Sequence, residues 1–205
     1  MTESTALGKG ARTRAIVLEE ALQQSTEVGL DGLSFGGLAK QLGMSKSGLY
    51  AHFNSKQQLQ VDLLDAAADR FLDVVIRPAF AEPRGLARIE RLSVQWLRWG
   101  DEFRGGCPFV SAATELDAQQ GPVHDRLKTH LSTLLDTIAK TARIAVEVGH
   151  FRHDLDCGQF AYEFWANVVA HTHYDRMLAD LDAQHRARRA FRGLIDRSRT
   201  PVSRP

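Results

Sequence analysis

Two helical segments too short to stand alone, 35–42 and 45–52, joined through Gly43 and Met44, constrain this chain more than any other feature. Isolated helices below about 12–15 residues are marginal in water, so a neighbour must hold both. The preceding segment supplies it: from Arg12 to Val28, the residues Ile16, Leu18, Ala21, Leu22 and Val28 recur at helical spacing, and Gly29 provides a stop. Leu38, Leu42, Leu49 and Phe53 then share one core with Ile16 and Leu22. Ser45 is placed to cap the second short helix, and Ser55-Lys56-Gln57-Gln58 has the form of a capping box that opens a longer helix through Leu59, Leu63, Leu64 and Phe71.

The rest of the chain continues in the same idiom. Pro78 and Pro83 bracket an expected loop, after which helices are expected at about 86–104, 109–119, 122–148, 158–182 and 184–198. Gly105-Gly106-Cys107-Pro108 and Gly121-Pro122 punctuate them, and Asp156 is placed to cap the helix that begins near 158. Alternating strand patterns are missing, so the expected class is all-α: an N-terminal three-helix helix-turn-helix domain and a larger helical domain. The expected division is a flexible arm over 1–10, the small domain over 11–56, the larger domain over 57–199 and a flexible tail over 200–205.

Burying the shared leucine–phenylalanine core turns the opposite face of the second short helix outward, with Lys46, Ser47 and Tyr50 on it. This is the helix-turn-helix pattern, in which the second helix enters the major groove and its first residues meet base edges. Lys46 suits a guanine edge or a phosphate, Ser47 donates or accepts, and Gly48 permits close backbone approach. Tyr50 offers a ring to thymine methyls and a hydroxyl to phosphate, with packing as the competing role. His52 divides between phosphate contact and a bond that fixes the next helix. Lys56 sits near a helix N-terminus that favours anions, and Ser34 and Ser45 complete the candidate DNA-binding set. With a net charge of only +1, any DNA contact has to come from such a local face.

The run from Leu38 through Gly43-Met44-Ser45-Lys46 and Leu49-Tyr50-Ala51-His52-Phe53 to Ser55-Lys56 resembles the DNA-binding signature of the TetR family of bacterial regulators. The resemblance implies a homodimer, with its last two long helices paired in a four-helix bundle and a small ligand bound between the middle helices. It also implies a repressor released from a palindromic operator by that ligand. Gly36-Gly37 depart from the polar residues common at the start of the second helix, at a propensity cost of up to about 1 kcal/mol each. Gly48 replaces a side chain that often touches bases.

The second half offers aromatic and apolar stripes that divide between core, pocket and partner. Phe71, Trp96, Trp99, Phe103, Phe109, Phe164, Val168 and His171 form the candidate ligand-binding set, which favours a lipophilic or aromatic effector. Phe160, Trp165, Val169, Phe191, Leu194 and Ile195 form the candidate dimer interface. The arginines at 186, 188, 189, 192, 197 and 199 read as a solvated, salt-bridged helix face, with accessory DNA contact as the alternative.

Other chemistries find little purchase. His150-x-x-His153 and His171-x-His173 lack the spacing of a metal site, so no metal or cofactor is expected. Cys107 and Cys157 match no zinc or disulfide spacing and read as ordinary thiols. A glycine-rich phosphate loop, a nucleophile elbow and a spaced carboxylate pair are all missing, which argues against an enzyme. The chain shows neither an apolar run of membrane-spanning length nor a secretion signal, and the expected location is the cytoplasm. A regulator that activates, or that works without an effector, remains the alternative.

Overall fold

The computed structural model describes residues 8–201; the segments 1–7 and 202–205 of the expected arm and tail lie outside the described residues. Helix α1 spans Lys9–Gly32, α2 Phe35–Leu42, α3 Lys46–Tyr50 and α4 Lys56–Phe71. A π-helical turn over Leu72–Ile76 leads into α5, Arg77–Ala81. Then come α6, Leu86–Trp99, with a 3-10 turn over Gly100–Glu102, α7, Pro108–Leu116, and α8, Pro122–Glu147. The chain ends with α9, Cys157–Thr172, a second π-helical turn over His173–Met177, and α10, Ala183–Ser198.

Local chemistry sets the short elements, with the Ser45, Ser55 and Asp156 caps as expected and one at Ser34 in addition. Ser34, Ser45 and Ser55 each adopt extended backbone ahead of a helix and accept the amide three residues on, from Gly37, Gly48 and Gln58. Asp156 does the same for Gly158 and Gln159. The box after Ser55 is only half made, because the Gln58 side chain turns forward to Asp62. Gly43 closes α2 in the left-handed conformation at φ 63°.

Gly29 breaks α1 with φ 78°, a conformation strained for any other residue type. The last turn, Leu30 to Gly32, is therefore a separate piece with exposed amides of its own. Upstream, Ala21 and Leu22 are buried as expected, but the ends of the expected face differ. Val17 is fully buried while Ile16 and Val28 face solvent, and Leu42 is half-buried. A shift of one residue turns a helix by about 100°, enough to exchange neighbouring side chains between core and surface. Val17, Ala21, Leu22, Leu38, Leu49 and Phe53 form the local core. It runs without a break into the interior of the second half, because α4 packs on α1 and also on α8.

Pro78 lies inside a helix instead of opening a loop. A proline has no N–H, and its ring clashes with the carbonyl four residues back, here that of Val74. The widened turn over Leu72–Ile76 accommodates the ring, and Gln95 of α6 donates to the Val74 carbonyl at 3.1 Å. The expected helix over 158–182 also ends early: α9 stops at Thr172, and after the π-turn Ala179 takes φ 49°. At the other end Phe151 pairs with Arg199 in an isolated bridge, and Thr200 donates to the carbonyls of His150 and Gly149, which ties Thr200 into the fold.

Candidate DNA-binding face and effector cavity

Helix α3 is anchored by one residue. Leu49 is fully buried, and the helix is otherwise turned outward, with Lys46 and Ser47 exposed. Tyr50 is 47% exposed and lays one side of its ring on Phe35, their centroids 4.2 Å apart. Both of its expected roles are therefore compatible with the structure: Phe35 fixes the ring, and its remaining surface is open. The hydroxyls of Ser45 and Ser47 approach to 3.2 Å. A Cβ at position 48 would come within 3.0 Å of the Ser45 hydroxyl, so glycine there leaves the cap room. His52 is half-buried with its ring edge-on to Phe53. Lys56 is half-buried, and its ammonium donates to the Asp31 carbonyl, which fastens α4 to the end of α1.

Charge is sorted across the small domain. Glu19 pairs with Arg70, and Glu20 and Glu27 pair with Arg104, so these three glutamates are met by arginines of the second half. Arg12, Lys40 and Lys46 are exposed and make no ion pair among the described residues. This is the local cationic surface that a net charge of +1 requires if the chain is to meet a phosphate backbone.

The candidate ligand set divides in two. Phe71, Trp99, Phe109 and Phe164 are fully enclosed in an aromatic core. Phe71 touches Trp96, Trp99 and Phe109 edge-on, with centroids 4.6, 5.2 and 5.7 Å away. Trp96, Phe103, Val168 and His171 instead line a cavity of about 270 Å³ between the end of α6, the 100–107 loop and the end of α9. Sequence reasoning missed the polar part of that lining: Asp101, Thr172, Asp175 and Arg176. No local motif marks them, since the fold alone brings 101 beside 175.

The candidate dimer set divides as well. Phe160, Phe191, Leu194 and Ile195 lie inside the protomer's own core, whereas Trp165 and Val169 are half-buried. The outward side of α9 carries Tyr162, Ala166 and Ala170, and Ala190 of α10 is exposed. Of the basic residues near the end, Arg186, Arg197 and Arg199 pair with Asp180, Glu163 and Glu90, in keeping with a salt-bridged face. His150 is committed too, its Nδ1 accepting the Leu86 amide at 3.1 Å.

A second network joins the two halves. The Arg104 amide donates to the Gln23 side chain at 3.0 Å, Gln23 donates to the Glu102 carbonyl at 3.0 Å, and the Gly105 amide donates to the Thr26 hydroxyl at 2.9 Å. The wall of the cavity is thus hydrogen-bonded to α1.

A short exposed helix borne on a buried partner, with a helical second half behind it, defines a helix-turn-helix DNA-binding transcription regulator. The chain belongs to the TetR family: residues 17–62 match the model for bacterial regulatory proteins of that family, and residues 85–191 match the tetracyclin repressor-like C-terminal domain. It is similar in fold to a TetR-family transcriptional regulator from Cytophaga hutchinsonii, at TM-score 0.84 and 18% identity, covering 97% of this chain and 100% of that one. It is likewise similar to AibR in complex with isovaleryl coenzyme A and operator DNA, at TM-score 0.71 and 17% identity, covering 92% and 99%. In sequence it is 30% identical over 101 residues to the nucleoid occlusion factor SlmA of Marinomonas sp. (strain MWYL1), and it spans about half (49%) of the length of that curated relative.

Proposed function

We propose that this protein is a homodimeric repressor whose grip on a palindromic operator weakens when a small organic effector enters the cavity beside the 100–107 loop. The observation that carries the reading is the presentation of Lys46 and Tyr50 outward on α3 while Leu49 holds that helix down. Lys46, Ser47 and the open side of Tyr50 meet the duplex, with Ser45, Gly48 and the Ser34 cap shaping the turn around them. Two such heads on a two-fold axis require half-sites one helical turn, or a multiple of it, apart.

Release follows from linkage: an effector shifts the operator affinity only if it prefers a conformation whose heads fit the operator poorly. The bonds from Arg104 and Gly105 to Gln23 and Thr26 support a route from cavity to α1. Occupancy of AibR by an acyl-coenzyme A together with operator DNA supports two kinds of ligand on one such fold. The outward stripe of Tyr162, Ala166 and Ala170, flanked by Trp165 and Val169, supports α9 as the dimer face, where small residues let helices approach closely. A cytoplasmic location goes with this reading.

The test is a gel-shift titration on the DNA flanking the coding sequence. Replacing both Lys46 and Tyr50 with alanine is expected to abolish specific binding while circular dichroism still shows a folded helical protein. Unchanged operator affinity in that variant would contradict the assignment.

A further inference from the structure

We propose that the groove between α6 and α10 docks an acidic, amphipathic segment of a partner protein, whose carboxylates meet Arg98, Arg188 and Arg192. The groove, about 440 Å³, requires neither an effector nor DNA to form. Its two helices lie antiparallel, since Arg199, just past the end of α10, pairs with Glu90 near the start of α6. From Glu90 to Arg98, and from Arg188 to Asp196, each wall rises about 12 Å, the length of two helical turns of a partner.

Charge complementarity selects the occupant. Helix α10 carries five arginines against a single aspartate, in a chain whose net charge is only +1. Arg186 and Arg197 are paired with Asp180 and Glu163, and Arg199 meets both Glu90 and Asp196 at one end of the groove. At the other end Arg98, Arg188 and Arg192 are exposed, and they make neither an ion pair nor a side-chain hydrogen bond among the described residues. Asp101, just beyond Arg98, lies within its field but outside ion-pair distance. Like charges gathered on one groove repel each other. An acidic segment turns that repulsion into attraction and is steered toward it.

The floor adds a second requirement. Leu97, Phe191 and Ile195 reach it from the core, and Val94, 37% exposed, lies open beside them. An apolar centre inside a charged rim is the layout of a groove that receives one face of an amphipathic segment. Other occupants fit less well. A nucleic acid would bring phosphates against Glu90 and Asp196 and leave the apolar floor unused. A small amphiphile binds where most of its surface is enclosed, whereas Val94 and the arginines here stand open to solvent. In the dimer proposed above, α9 and the Ala190 flank of α10 face the second copy, and the flank beside α6 stays free.

The test selects phage-displayed random peptides of about twelve residues, long enough to span the groove as a helix, on the full-length protein. Peptides that also bind the triple variant Arg98→Gln, Arg188→Gln, Arg192→Gln are subtracted. The retained sequences are expected to combine carboxylates with apolar residues at helical spacing. Fluorescence anisotropy of the most enriched peptide is then expected to show binding that weakens as salt rises and is at least about tenfold weaker in the triple variant. Val94→Gln, which makes the floor polar and leaves the rim intact, is expected to weaken it at least about threefold. All four positions are exposed, and matching circular dichroism spectra verify that the variants are folded. Retained sequences without an excess of carboxylates, or none retained, would overturn the proposal. So would an affinity unmoved in the triple variant or in Val94→Gln. Displacement of the peptide by a DNA duplex at constant ionic strength would overturn it in favour of nucleic acid.

Discussion

The carboxylate of Glu115, on α7, accepts the backbone amides of Leu30 at 2.8 Å and Asp31 at 2.7 Å. Those amides are free because Gly29 breaks α1, so a residue of the second half caps a helix turn of the DNA-binding half. Together with the bonds from Arg104 and Gly105, this makes α1 the element through which the two halves hold each other. Replacing Glu115 with alanine is expected to lower stability by about 1–3 kcal/mol, the cost of leaving such amides unpaired. Glu115→Gln, which keeps one acceptor oxygen, should lose less. Urea unfolding followed by circular dichroism measures both, and an unchanged midpoint in the alanine variant would remove the cap from the account.

Gly105 leaves no room for a side chain. A Cβ there would stand 1.7 Å from the Thr26 carbonyl oxygen, which is backbone and cannot swing aside. Gly105→Ala is therefore expected to displace the loop from α1 at a cost of about 3 kcal/mol. At Gly36, where a Cβ meets nothing within 4 Å, the same change should be neutral or stabilising by up to about 1 kcal/mol. Thermal melts of the two variants should move in opposite directions or differ by several degrees, and equal shifts would refute the close approach.

Asp65 of α4 clamps α8. It accepts from Arg126 and from His130, each with a bond of 2.7 Å. The Arg126 bond, against the opposing effect of burial and with help from His130, holds the Asp65 carboxyl below its ordinary value of 3.8. A lowered folded-state value means the stabilisation is present above about 3.8 and fades as pH falls through the folded value. After allowance for solvent screening of this partly exposed cluster, Asp65→Asn is expected to cost about 1 kcal/mol at neutral pH. Parent and variant should converge in acid, and a gap that held constant from neutral pH into acid would rule out the carboxylate as its origin.

Burial pushes the Cys107 thiol up to about 11, and the opposing hydrogen bonds from Val110, Phe109 and Trp99 do not offset it. The thiolate is the reactive species, so Cys107 should resist alkylation by iodoacetamide near neutral pH in the native protein and react readily once unfolded. Peptide mapping of the two samples decides the point. Labelling of native Cys107 at the rate of a free thiol would contradict its enclosure.

Much of the DNA-binding half was legible because its determinants lie within a turn or two of each other. Ser45 caps α3, Gly43 ends α2 and Leu49 turns inward, each following from neighbours a few residues away. The choice between Ile16 and Val17 was not legible, since both are apolar and β-branched and only the angle at which α1 meets α2 and α4 selects one. The bond from Lys56 to the Asp31 carbonyl was likewise not legible, because only the fold brings the end of α1 beside it.

By itself, the sequence determined the helical class, the capped turn between two short helices and the outward placement of Lys46 and Tyr50, all consequences of hydrogen bonding and periodicity over short spans. Tertiary structure decided which aromatics became closed core and which became cavity wall. It also brought Asp101 into one space with Asp175, and joined Glu115 to Leu30 across a separation of 85 residues. The physical reason is that local propensity acts through the backbone of a single turn. A cavity or a long-range cap exists only once several helices have settled against one another, at angles that their shared packing sets.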